Sequence, residues 1–133
     1  MAIKCRADSI LPYIPQSDHS NKEGYAVVTS GTGVEVAASL TAIPLGVIVE
    51  GAPTTRYDAV AIADGGLSGT VRVKLAATPG TIVIGSYLII HSDGSFKLDP
   101  GTGTNRTRMA RALESGAANE LIEAVLFSPQ ALT

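Results

Sequence analysis

Apolar and polar residues alternate most clearly in the stretch TVRVKLA. There Val71, Val73 and Leu75 fall on one side and Arg72 and Lys74 on the other. A period of two is what a strand shows when one face meets a core and the other meets water, so this stretch predicts a half-buried strand. LGVIVE (Leu45 to Glu50) and SYLIIH (Ser86 to His91) are apolar on both faces and rich in β-branched or aromatic residues, which suits strands covered on both sides. YAVVT, VEVA, DAVAIA and FKLD are weaker strand candidates. Between the candidates sit SGTG, ADGGLSG, TPG, SDGS and PGTGTN, which supply the Gly, Asn, Asp and Pro that turns require.

The segment RMARALESGAANELIEAVLF, Arg108 to Phe127, can be read as one helix or as two strands. A helix would hold Gly116 and Asn119 in its interior, at about 1 kcal/mol for the glycine and somewhat less for the asparagine, with no cap to end it earlier. As two strands, Met109, Arg111 and Leu113 alternate with small Ala110 and Ala112, and AVLF closes the second strand. The segment predicts a terminal hairpin.

The first 24 residues differ in character. Pro12 and Pro15 prevent a helix, and Ile10, Leu11, Tyr13 and Ile14 form an apolar patch without a regular period, followed by the polar run QSDHSNKEG. Two readings follow: an extended N-terminal arm over residues 1–24 that lies on a partner, or a segment that covers its own domain, residues 25–133. The expected fold is all-β, a small β-barrel because closure removes exposed sheet edges, with a two-sheet β-sandwich as the alternative.

Composition narrows the function. The chain has 133 residues, one domain's worth, with 14 Gly, 7 Pro and no Trp. A formal charge of −2 and the lack of a Lys/Arg cluster give no electrostatic reason to bind nucleic acid or an anionic membrane. No apolar run reaches the roughly 18 residues that span a bilayer, and MAIKCRADS lacks the hydrophobic segment of a secretory signal, so folding in a cytoplasm is expected. Cys5 is the single cysteine, which rules out a disulfide within the chain and a multi-thiolate metal site; beside Lys4 and Arg6 it is a reactive thiol or an incidental small residue.

Candidate chemistry is sparse. Asp18, His19 and Ser20, and again His91, Ser92 and Asp93, are the residue types of a nucleophilic triad, but adjacent side chains cannot align nucleophile, base and orienting acid. A triad drawn from both clusters stays open, whereas HSDGS (His91 to Ser95) reads more simply as a strand end entering a turn. Two histidines this far apart, without a local carboxylate spacing, make a poor zinc site. GTGTNRT (Gly101 to Thr107) lacks the G-K-S/T ending of a phosphate loop and leads into a strand, so it reads as a flexible loop. Without a secretory signal, the sequon Asn105-Arg106-Thr107 carries little weight. Arg106, Arg108 and Arg111 either contact an acidic partner or keep a strand face solvated.

ARALESGAANELIEAVLF resembles the chain ending of a family of small tailed-bacteriophage head proteins, the capsid decoration or cement proteins. That ending runs GRALE, small residues, then E-L-I/V-E-V-L-L. Upstream, IPLGVIVEGA and VRVKLAATPGTIVIGSYLIIHSDGSFKLDP resemble the family's two strands, its G-D/S-x-L-x-x-x-x-D-G motif and a variable loop. The resemblance covers about Ile43 to Phe127, and departs from the pattern at Ser86 and Tyr87, where Asp and a smaller apolar residue are frequent. It carries no catalytic signature. What it implies is a non-enzymatic structural protein, without a cofactor, that sits on the exterior of the virion. It would bind the major capsid protein at junctions between subunits, as a homotrimer, and stabilise the shell against DNA pressure. The contact residues this picture suggests are Ile3, Ile10, Leu11, Tyr13, Ile14, Arg106 and Arg108. The alternative is a β-barrel ligand-binding module or hydrolase subunit with a site near His91 and Asp93.

Overall fold

A computed structural model describes residues 10–63 and 70–133. Among these residues every regular element is a strand: β1 (Ile10–Tyr13), β2 (Ala26–Ser30), β3 (Gly33–Val36), β4 (Gly46–Glu50), β5 (Asp58–Ile62), β6 (Val71–Lys74), β7 (Tyr87–Ile90), β8 (Phe96–Leu98), β9 (Arg106–Ala112) and β10 (Leu121–Leu132). The strands form two five-stranded sheets, ordered β1-β5-β4-β2-β3 and β6-β10-β9-β7-β8, and every paired neighbour is antiparallel. The expected all-β class is the class the chain adopts, and every strand read from the pattern is present.

Both sheets curl until their outer strands meet. In the second sheet, Leu75 just past β6 bridges Phe96 of β8 in parallel, and the Ala76 N–H donates to the Phe96 carbonyl at 2.8 Å. In the first, the chain leaving β1 brings Pro15 alongside Val34 of β3. The Gln16 N–H donates to Val34 O at 2.9 Å and the Val34 N–H to Ile14 O at 2.8 Å. Backbone bonds also tie the sheets to each other, from the Lys74 N–H to Gly24 O at 3.0 Å and from the Ala26 N–H to Gly94 O at 2.9 Å. Curling satisfies edge groups that would otherwise template pairing with another chain.

Burial follows the same geometry. On the first sheet Ala26, Val47 and Ala61 share the face that meets the second sheet, where they join Val73, Leu75, Leu88, Ile90, Phe96, Met109 and Ile122 in one core. Val27, Val34, Ile48 and Val60 point the opposite way into a smaller cluster of their own. Strand β4 is therefore apolar on both faces because each face has a core to fill. On β6, Val71 and Val73 are buried while Arg72 is exposed, as the alternation requires.

The terminal hairpin forms, with Ala124 opposite Ala112, Val125 opposite Arg111 and Leu126 opposite Ala110. Strand β10 runs further than the pattern suggests, through Pro129 to Leu132, because a bulge between Leu126 and Gln130 removes the proline from the ladder with β9. From Val125 onward, β10 is paired among the described residues on its β9 side alone.

Residues 10–24 lie along the first sheet of their own domain. Pro12 sits in β1, which pairs with β5 at the sheet edge where a missing N–H is tolerated, and the following residues cross the mouth of their own sheet. Residues 1–9 lie outside the described residues.

Candidate functional site

Of the residues singled out from the sequence, Ile10 packs against the main core and Tyr13 against the smaller cluster, while Leu11 and Ile14 are exposed. Ile3 lies outside the described residues. Arg106 departs from expectation. It does not solvate the strand face, because its side chain is 3 % exposed and its Nε meets Asp99 Oδ1 at 2.5 Å. The other Asp99 oxygen takes Arg108 Nε at 2.7 Å and Nη2 at 2.5 Å. Gly101 N–H completes the set at 2.9 Å, and Arg106 Nη1 donates to Thr104 O at 3.0 Å. The glycine-rich loop is thus a wrap around a buried carboxylate. Burial alone would raise the Asp99 pKa, but the Gly101 N–H and the two guanidiniums more than offset it, and the carboxyl is held below its ordinary range.

Arg108 carries this cluster to the surface. Its guanidinium lies 4.3 Å from the Tyr87 ring centre, and that of Arg111 lies 5.8 Å from it. Tyr87 meets the Phe127 ring edge-on, with centroids 6.1 Å apart and planes at 76°. The sheet register explains the grouping. Arg111 is opposite both Tyr87 and Val125, so these three share the outer face, and Phe127 follows Val125 by one strand period. Tyr87, Arg108, Phe127, Ser128 and Gln130 line an open depression of about 490 Å³. In the chain just before β7, Val83 and Ile84 stand outside any strand, Ile84 at 73 % exposure. A face of aromatic and arginine side chains has the composition of a protein-binding surface.

A second polar cluster lies at the mouth of the first sheet. His19, 1 % exposed, places Nδ1 2.5 Å from Oδ2 of the fully buried Asp58 and Nε2 2.9 Å from Oε1 of half-buried Glu35. Asp58 also accepts the Ala52 N–H at 2.8 Å, and Glu35 accepts the Ser17 hydroxyl at 2.8 and 2.7 Å. Desolvation works against a charged imidazole, yet the bonds to Asp58 and Glu35 outweigh it and the His19 pKa is raised. With an acceptor at each nitrogen, the ring is satisfied only when doubly protonated, so it is no general base. The two carboxylates approach opposite sides of the ring, and among the described residues no group of three His, Cys, Asp or Glu converges on a metal position.

The His91 turn is a turn. The Gly94 N–H donates to His91 O at 3.0 Å and the His91 N–H to Ser95 O at 2.7 Å, and Asp93 accepts from the backbone and hydroxyl of Ser95. A cleft of about 440 Å³ between the sheets, lined in part by Ile10, Val49, Arg72 and Leu121, has Glu123 at its rim. That carboxylate accepts the Thr70 hydroxyl at 2.6 Å and faces Arg72 at 3.5 Å.

The sequence reading missed Asp99, Glu35 and Asp58. A signal existed for Asp58, an acid at the head of the apolar run DAVAIA, where only a paired charge is compatible with burial. No protein-family model matches the chain, and no curated protein matches it.

Proposed function

We propose that this chain is a structural, non-enzymatic head protein of a tailed bacteriophage. In this reading it binds the outside of the capsid where major capsid protein subunits meet, and stabilises the shell against the pressure of packaged DNA. The observation that carries the reading is the outer face of the second sheet. Tyr87 and Phe127 stand there beside Arg108 and Arg111, on the strands whose sequence resembles the decoration proteins. Aromatic and arginine side chains are the residue types that dominate protein–protein binding energy, and Arg108 is held in place by Asp99 before any partner arrives. Arg111 is exposed and has no carboxylate within ion-pair distance among the described residues, which suits an acidic counterpart on the shell. Self-association as a trimer would multiply modest contacts through effective concentration.

The test is co-sedimentation of the purified protein with undecorated heads assembled from the major capsid protein encoded beside it. Saturable, stoichiometric attachment that raises the temperature at which the heads rupture is the expected result. Absence of attachment to both unexpanded and expanded heads would overturn the reading.

A further inference from the structure

The side chain of His19 joins two strands that do not neighbour each other. Asp58 opens β5 and Glu35 lies in β3, with β4 and β2 between them in the sheet order, yet one imidazole spans the gap because the sheet is curled. The segment bearing that imidazole, residues 14–24, is the same one that closes the sheet. It is fastened by few backbone bonds: Gln16 and Ile14 to Val34, the His19 N–H to Ala52 O at 2.9 Å, the Gly24 N–H to Ile48 O at 2.8 Å and, at its far end, the Lys74 N–H of the second sheet to Gly24 O at 3.0 Å. We propose that His19, Asp58 and Glu35 form a proton-operated latch, in which loss of the imidazolium proton releases residues 14–24 from the first sheet while the second sheet stays folded.

The physical basis is a count of donors. The imidazolium has two N–H groups for two carboxylates; the neutral ring has one. Deprotonation therefore leaves one acceptor without its donor, and two carboxylates around an uncharged ring, of which Asp58 has no access to water. Release lets water reach both. The other charged groups around the latch do not supply the missing proton. Asp18 on the same segment is exposed and bonded to Ser20, the Glu23 carboxylate accepts the Gly51 N–H at 3.0 Å, and Lys22 lies over the Tyr25 ring at 4.8 Å. Glu50 and Arg56 flank the loop that carries Ala52, and neither Glu50 with His19 nor Arg56 with Asp58 or Glu35 forms an ion pair. The open state frees the Val34 edge of β3, the kind of edge to which an extended segment of a neighbouring copy or partner can add. The latch is independent of what the outer face of the second sheet binds.

The sign is fixed by linkage. His19 has a higher pKa with the latch closed than open, so closure is fully favoured below the ordinary imidazole value of about 6.5 and is lost as pH rises through the raised value. Between those two points the opening constant rises by up to about tenfold per pH unit, because a single proton is released.

Amide hydrogen exchange on the full chain, corrected for intrinsic rates, tests this between pH 5 and 10, values set by about one and a half pH units below and more than three above the ordinary imidazole pKa. The Gln16, His19 and Val34 amides should lose protection along that slope with the midpoint of the His19 ring titration, while those of Val73 and Ala124 hold theirs. Glu35→Gln, which keeps a hydrogen-bond acceptor but removes one charge from the more exposed side of the ring, should move the midpoint to lower pH. His19→Gln should abolish the pH dependence; if that variant does not fold, the Glu35→Gln shift decides. Protection of residues 14–24 that ignores pH, a midpoint unmoved by Glu35→Gln, or simultaneous loss in both sheets would each overturn the latch.

Discussion

Arg106 and Asp99 meet at 2.5 Å with 3 % of each side chain exposed, and Arg108 holds the second oxygen of the same carboxylate. One acid between two guanidiniums fixes both the loop that wraps it and the arginine that supports the outer aromatic face. Removing the shared acid leaves Arg106 as an uncompensated buried charge. Asp99→Ala is expected to lower the unfolding free energy by about 3 to 5 kcal/mol in urea titrations. Arg108→Ala should cost less, since Arg108 is nearer the surface and Asp99 would keep Arg106 and Gly101.

Acid should expose the same cluster. Asp99 titrates below its ordinary value, against the pull of burial, because of Gly101, Arg108 and Arg106; Glu35 does so because His19, Ser17 and the Val36 N–H outweigh its own desolvation. A depressed carboxylate contributes stability that is present above its unfolded pKa, about 4, and is lost as pH falls through the folded value. Denaturant midpoints should therefore fall with pH below about 4, and the slope should be shallower in Asp99→Asn, which takes up one proton fewer.

Phe96 is fully buried and its backbone forms the bridge that joins β8 to β6. Phe96→Ala is expected to cost about 3 to 5 kcal/mol, and Phe96→Leu clearly less, as read by thermal or urea unfolding.

Two glycines with nearly the same backbone separate conformation from contact. Gly94 (φ 87°) and Gly101 (φ 90°) both occupy the left-handed region, but a Cβ on Gly94 would run into Val36 and lie 3.0 Å from Ala37 O, whereas one on Gly101 meets nothing within 4 Å. Gly101→Ala should cost about 1 to 2 kcal/mol, the backbone penalty alone, and Gly94→Ala measurably more.

On the outer face, Tyr87→Ala removes a ring that is 43 % exposed, and Arg111→Glu reverses an exposed charge. Arg111→Glu should keep the unfolding free energy within about 0.5 kcal/mol of the parent, as surface substitutions do, whereas Tyr87→Ala also gives up the ring pair with Phe127 and should cost about 1 kcal/mol. Both should lose head attachment in the co-sedimentation assay, Arg111→Glu with the stronger dependence on salt.

The strands were legible because their periodicity reports local burial. Val71, Arg72 and Val73 alternate in the chain as they do in space, and in the doubly apolar LGVIVE Val47 and Ile48 are buried on opposite faces, while Val49 and Glu50 at its end are exposed. The hairpin was legible because Gly116 and Asn119 penalise a helix, and Asn119 takes the left-handed conformation, φ 64°, in the turn between the two strands. What stayed hidden depends on curvature. His19 reaches Glu35 and Asp58 across 16 and 39 residues of chain, and no local pattern carries that information. Arg106 looked like a surface residue because charge is usually solvated; Asp99, seven positions back, reverses the rule by pairing with it. Pro129 hid the end of β10, since a proline normally stops a strand and here falls in a bulge.

That proline also affects how copies of the molecule behave when crowded together. A twelve-residue strand with a long one-sided stretch is a template for fibre growth, and Pro129 lacks the N–H that a continuous intermolecular ladder would need. With the kinked bulge beside it, the C-terminal strand can remain long and accessible at high local concentration without seeding an amyloid-like stack.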